Sequence, residues 1–295
     1  MRGLAVVESG SILSDGPLSD QQLTELSTLG WLVEIFQAYL LTLDDVIDKS
    51  NTRRGKPCWY KRPGVGMIAV NDACLLKSQI FYILRIYFRS HPSYVDFLET
   101  FEEISLITEI GQDCDWLASQ QSSPTSWPWA TYDAILVFKA GYYTLYLSVL
   151  LALHYFGLST PGNVQQCKSI LIDMGKFYQI QNDFLDVFGA LGRTKKDGTD
   201  IQENKCSWVI MKALEVCSDD QKQILEDNYG RDSPQALATV RAVFETLPLE
   251  QMYDEEERNW KARISRMIED VDETEGLRKE VFRKLLECFP SHKSD

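Results

Sequence analysis

The sequence predicts an all-α protein, and three observations carry that reading. Few segments alternate polar and apolar residues as strands do, and turn signals come only at wide intervals. Two stretches, residues 31–43 (WLVEIFQAYLLTL) and 142–153 (YYTLYLSVLLAL), are apolar on nearly every face. A helix with no polar face is one surrounded by other helices.

Along the chain, residues 31–43 form a central helix that runs into a cluster of aspartates. Residues 51–66 (NTRRGKPCWYKRPGVG) hold two prolines and three glycines and read as a cation-rich loop, after which helical pattern resumes at about residue 67. Residues 130–143 (ATYDAILVFKAGYY) carry a lone cation, Lys139, with Gly141 predicting a break just beyond it. Residues 142–153 stop at His154, well short of the roughly 20 apolar residues that cross a bilayer, so they read as a core helix and no membrane span is expected. Residues 169–188 end in a second acidic cluster, followed by a basic loop at 189–198; short connections come at 218–220 and 230–233, and a charged amphipathic stretch starts at 254–258. No linker divides the chain. One domain is expected over residues 1–295.

A 295-residue chain with 44% hydrophobic residues can bury a large core. Its formal charge of −13 argues against a nucleic-acid partner, whose phosphates call for clustered Lys and Arg. An acidic protein that binds a phosphorylated ligand needs metal ions as intermediaries. The seven cysteines (Cys58, Cys74, Cys114, Cys167, Cys206, Cys217, Cys288) show no CxxC spacing and read as reduced thiols. With no signal-peptide core in MRGLAVVESG and no prenylation signal in SHKSD, a cytoplasmic location is expected. His91, His154 and His292 lack metal-ligand spacing.

The chemistry lies in two related hexapeptides, LDDVID at residues 43–48 and QNDFLD at residues 181–186. Each sets oxygen side chains four residues apart, Asp44/Asp48 and Asn182/Asp186, which is about one helical turn and therefore one face. A further aspartate, Asp45 or Asp183, stands beside the first position. Carboxylates at the negative end of a helix cost about 0.3–1 kcal/mol each, so a cation should offset them. Mg²⁺ suits: it takes one or two carboxylates and bridges them to phosphate oxygens. Arg53 and Arg54 follow the first cluster and Lys196 the second, in position to hold the same phosphate. Aromatic faces for a carbocation could come from Phe36, Tyr39, Tyr142, Tyr143, Phe177, Tyr178 and Phe184.

LLTLDDVIDKSNTRRGKPCWYKRPGVG, TEIGQDCDWL, GKFYQIQNDFLDVFG and KKDGTDIQENKCSW together resemble the farnesyl diphosphate synthases, all-helical prenyltransferases, over essentially the whole chain. The resemblance implies an isoprenoid synthase bundle around a deep central cavity, three Mg²⁺ ions, a homodimer, and condensation of an allylic diphosphate with isopentenyl diphosphate. It implies metal ligation by Asp44, Asp45, Asp48, Asp115, Asn182, Asp183 and Asp186, and diphosphate binding by Arg53, Lys139 and Lys196, with Gln112 and Gln179 nearby. Gln37 and Arg54 fall to the isopentenyl half, and Tyr39 and Leu40 to the positions that set chain length.

Several departures from the family pattern fall in that half. Of a Gly-Lys-x-x-Arg element only Arg2 is present, the usual Lys-Thr pair is Lys139-Ala140, and the second motif opens with Asn182. These features resemble the terpene synthases that arose in insects from farnesyl diphosphate synthases. They predict a Mg²⁺-dependent class I terpene synthase that ionises farnesyl diphosphate, releases diphosphate and forms a sesquiterpene hydrocarbon or alcohol. The alternatives are a chain-elongating synthase and a non-catalytic relative serving as a binding or dimer partner.

Overall fold

The structure, a computed structural model, describes residues 2–189 and 198–289. Helices dominate it, as the apolar patterning predicts, and the only strands among the described residues form one short hairpin.

Helix α1 (Arg2–Leu13) packs on α2 (Asp20–Ile47), which starts at a capping box: Gln22 N donates to Ser19 Oγ at 3.2 Å and Ser19 N to Gln22 Oε1 at 2.9 Å. Leu26, Leu29, Val33 and Phe36 of α2 are fully buried, and Phe36 meets Tyr39 edge-on at 5.1 Å and Phe101 at 5.9 Å. Such a side chain contributes roughly 1.5–3 kcal/mol by leaving water. The last turn of α2 holds Asp44 and Asp45 and no basic residue, with Asp48 as its C-cap. The expected loop after it contains a hairpin, β1 (Thr52–Arg53) with β2 (Lys56–Pro57). Arg54 and Gly55 form its two-residue turn, both at positive φ (55° and 73°), which matches the twist of the strands.

Helices α3 (Ile68–Phe88) and α4 (Tyr94–Ser119) follow. Beyond α5 (Trp129–Ala134) the chain widens into a π-helical segment, Ile135–Tyr146, before α6 (Leu147–Tyr155). The break predicted at Gly141 is absent. Instead the wide turns stay continuous, and glycines on the neighbouring helices let backbones touch: a Cβ on Gly175 would lie 2.7 Å from Gly141 O, and one on Gly111 would collide with Lys139 N.

Helix α7 (Pro161–Phe188) begins with Thr160 as N-cap and Pro161 in its first turn, both good helix starters. It joins two cores. Met174 and Phe177 belong to the larger one, with α1–α4, α6 and α12 (Lys279–Glu287); Phe184 and Val187 belong to the smaller one, with α8 (Trp208–Val216), α9 (Asp219–Asn228), α10 (Pro234–Thr246) and the start of α11 (Leu249–Glu269). Phe184 stacks on Tyr253 at 3.8 Å and 7° in the second. By length and composition, Asp20–Ile47 and Trp129–Tyr155 could each cross a bilayer, but here they lie in the bundle and line its core.

Candidate active site

A cavity of about 390 Å³ opens between α2, α4, the π-helical segment, α7 and the segment preceding α8. Asp44 and Asp48 reach it from α2, Gln112 and Asp115 from α4, Lys139 from the π-helical segment, and Gln179, Asn182, Asp183 and Asp186 from α7. The four-residue spacing thus places both oxygen pairs, Asp44/Asp48 and Asn182/Asp186, on cavity-facing sides of their helices.

Three cations neutralise the acids of the first cluster and α4. Arg53 reaches back across the hairpin, its NH2 2.9 Å from Asp44 Oδ2 and 2.6 Å from Asp45 Oδ1, with Nε 2.8 Å from the same Asp45 oxygen. Lys139 Nζ lies 3.1 Å from Asp44 Oδ1 and 2.6 Å from Asp115 Oδ2. Lys205 Nζ lies 2.8 Å from Asp115 Oδ2 and 2.7 Å from Asp48 Oδ2. Burial alone would raise the Asp44 carboxyl, but Lys139, Lys205 and Arg53 hold it far below its ordinary value. Against the same burial, Lys139 and Lys205 bring Asp115 down to about 2. Asp48 is pushed up, by burial and by Asp44, despite Lys205.

Asp183 has a different environment. Tyr132 OH (2.6 Å) and the Trp208 amide (2.9 Å) donate to its Oδ2, and Gln179 Nε2 (2.7 Å) donates to its Oδ1. Burial raises its carboxyl to about 6 although these three donors oppose the shift. Beside it, the Asp200 amide donates to Asp186 Oδ2 at 3.0 Å, which ties the segment before α8 to the second cluster.

On another side of the cavity stands Arg2, 5% exposed, with its guanidinium 4.6 Å from the Tyr143 ring and 5.1 Å from the Tyr178 ring. Its NH2 donates to Tyr143 OH at 3.2 Å and Thr144 Oγ1 at 3.3 Å. Gln37 and Arg54 line the same cavity, and neither arginine is paired with a carboxylate among the described residues. Arg2 Nε, Gln112 Nε2 and Thr108 Oγ1 are buried without a hydrogen-bond partner, an arrangement that costs about 1–3 kcal/mol per group until a ligand completes it.

Several expected placements need correction. Asp45 does not line the cavity: it is 4% exposed and turned sideways onto Arg53, because adjacent helix residues point about 100° apart. Tyr39, 1% exposed, also misses the cavity; its hydroxyl points to Glu109 and Leu40 occupies the wall instead. Phe36, Phe177 and Phe184 are core, while the faces of Tyr143 and Tyr178 hold Arg2. Lys196 lies outside the described residues. Lys205 and Tyr132 were not anticipated. Lys205 stands inside the KKDGTDIQENKCSW motif, and its place on α2 and α4 acids follows only from how that segment folds back.

Among the described residues, no three His, Cys, Asp or Glu side chains gather into a metal cage. Mg²⁺ does not need one, since it keeps several waters and completes its octahedron with phosphate oxygens. The donors here, hard carboxylate and amide oxygens on two walls of one cavity, fit that ion and a diphosphate together.

The polyprenyl synthetase family model matches residues 1–247. Farnesyl pyrophosphate synthase of Schizosaccharomyces pombe is 41% identical over 287 residues, spanning 97% of this chain and 83% of that protein. The enzyme of the same name from Saccharomyces cerevisiae is 40% identical over 290 residues (97% and 82%), and that from Artemisia annua 40% over 271 residues (91% and 79%). These relatives overturn the expectation of an insect-type terpene synthase making a sesquiterpene. The structure agrees with that correction: the expected isopentenyl-half residues Arg2, Gln37 and Arg54 all line the cavity, while Ala140, one of the departures, is 2% exposed and not part of its wall.

Proposed function

Because this chain belongs to the polyprenyl synthetase family, we propose that it is a farnesyl diphosphate synthase, a prenyltransferase that joins an allylic diphosphate to isopentenyl diphosphate. One observation carries the reading: besides Arg53, Lys139 and Lys205 on the acid ring, the cavity is lined by two further cations, Arg2 and Arg54, neither paired with a carboxylate among the described residues. A cyclising enzyme needs one diphosphate site, and a condensing enzyme needs two.

In the reaction the allylic C–O bond breaks and its electron pair leaves with diphosphate. The double bond of isopentenyl diphosphate then forms a carbon–carbon bond to the allylic carbon, and a proton is lost. Asp44, Asp48 and Asp186, with Asn182 offering a neutral oxygen, would hold Mg²⁺, three ions in our reading, which when bound would supply positive charge to the departing diphosphate. Arg53, Lys139 and Lys205 donate charge-assisted hydrogen bonds to the same group, in a site whose apolar walls strengthen them. Arg2 and Arg54 hold the second diphosphate, and Gln112 Nε2 and Thr108 Oγ1 are buried polar atoms of the same cavity lining without a partner among the described residues.

Incubation with geranyl and isopentenyl diphosphates plus Mg²⁺ tests this: a C15 diphosphate is expected, and chelating the metal should stop its formation. Volatile products from farnesyl diphosphate alone, without elongation, would sink the proposal.

We also propose a homodimer. Ile68, Leu75, Tyr82 and Ile86 of α3 and Leu106, Ile110 and Leu117 of α4 are all exposed and recur at helical spacing, so each helix presents an apolar stripe outward.

A further inference from the structure

The cavity uses only part of the cation-rich loop that follows α2. Residues 49–71 carry six basic side chains and no Asp or Glu, in a chain whose formal charge is −13. Arg53 and Arg54 line the cavity. Lys49, Lys56, Lys61 and Arg62 are exposed outside its lining, and none of them pairs with a carboxylate among the described residues. Aromatic and apolar side chains stand among these cations. Trp59 is 43% exposed, its Nε1–H donates to Asp72 Oδ2 at 2.8 Å, and the Arg62 guanidinium lies 5.4 Å from its ring. Lys61 lies 5.0 Å from the Tyr60 ring, and Met67, the N-cap of α3, is 67% exposed. The tip between them is open: a Cβ on Gly64 or Gly66 would meet no atom within 4 Å.

We propose that this face docks on an anionic lipid surface, with Lys56, Lys61 and Arg62 against headgroup phosphates and Trp59 and Met67 at the boundary of headgroups and acyl chains. Charge complementarity carries the choice of partner. A chain with 43 acidic and 30 basic residues is repelled as a whole by an anionic bilayer, so binding needs a segment where cations stand without acids, and residues 49–71 provide it. Trp beside Lys and Arg is also the composition that settles at a membrane interface: the indole is amphipathic, and the long basic stems let their charges reach the headgroups. What the docking is for rests on the prenyltransferase reading. A C15 diphosphate is itself an amphiphile, and Arg54, in the hairpin turn, belongs both to the cavity wall and to this segment, so product would leave beside a bilayer able to take up its chain. The docking itself rests on the loop alone.

Co-sedimentation of the chain with phosphatidylcholine vesicles containing about 30% phosphatidylserine tests this. Binding is expected at about 0.1 M salt and release at about 1 M, where charges are screened within about 3 Å, with no binding to pure phosphatidylcholine. The variant Lys56→Gln/Lys61→Gln/Arg62→Gln should lower partition onto the anionic vesicles by about tenfold or more, and Trp59→Ser should weaken it with the charge intact. The control Arg89→Gln/Lys222→Gln/Arg231→Gln removes the same charge from exposed positions elsewhere and should lower partition by no more than about twofold. No binding by the wild type, equal binding to both kinds of vesicle, unchanged partition in the loop variant, or equal losses in the two triple variants overturns the proposal. Turnover without vesicles should be unchanged in the loop variant, since none of its three residues lines the cavity. If the wild type makes no C15 diphosphate, the prenyltransferase reading fails instead, and the vesicle measurement still decides the docking.

Discussion

Lys205 shows how single residues control this site, because it joins an acid of α2 to an acid of α4 while only 8% exposed. Replacing it with Met keeps most of its bulk and removes its charge from both Asp48 and Asp115. Turnover is expected to fall by about a hundredfold, the scale of losing one charged donor to a leaving group. Steady-state kinetics with both substrates would show this, and a near-normal kcat would remove Lys205 from the leaving-group machinery. The sequence makes the pairs Asp44/Asp48 and Asn182/Asp186 legible because their alignment is a property of one helix, four residues apart. It does not disclose Lys205, whose partners are 157 and 90 positions away in the chain and meet it only in the fold. The same limit explains Tyr39 and Asp45: position along α2 places them near the site, but the side on which Glu109 and Arg53 wait decides where they point.

At the scale of elements, the π-helical segment sets the position of Lys139. The sequence predicts a break at Gly141 here, since a glycine inside an apolar helix usually signals one. The fold uses glycine for contact instead: Gly111 of α4 leaves room for the Lys139 backbone, and Gly175 of α7 for Gly141. Gly111→Ala is expected to destabilise the protein by about 1–3 kcal/mol, because the obstructing atoms are backbone and a helix must shift. Gly16→Ala, with nothing near its new Cβ, should change stability by no more than about 0.5 kcal/mol. Thermal unfolding of the two variants decides the matter; equal midpoints would mean that α4 does not constrain the segment. The hairpin after α2 was visible only as a loop, because the turn at Arg54-Gly55 asks a non-glycine residue to adopt positive φ.

For the whole molecule, helix content was legible from two apolar stretches, whereas the division into two cores joined by α7 depends on long-range packing that no local pattern states. The exposed apolar stripes of α3 and α4 lead to an expected dimer, and sedimentation equilibrium at micromolar concentration should give twice the chain mass; a monomer would leave those stripes for another role. The central claim is that one cavity holds two diphosphates, one on the acid ring through metal and the other on Arg2 and Arg54. The most direct measurement is calorimetric titration of isopentenyl diphosphate into protein already saturated with Mg²⁺ and a non-ionising thio-analogue of geranyl diphosphate. The account expects one isopentenyl diphosphate bound per chain, with affinity reduced by about tenfold or more in Arg2→Gln while the analogue still binds, the loss of one charged hydrogen-bonding group. Absence of a second binding event in the saturated wild-type protein, or equal binding by Arg2→Gln, would contradict it.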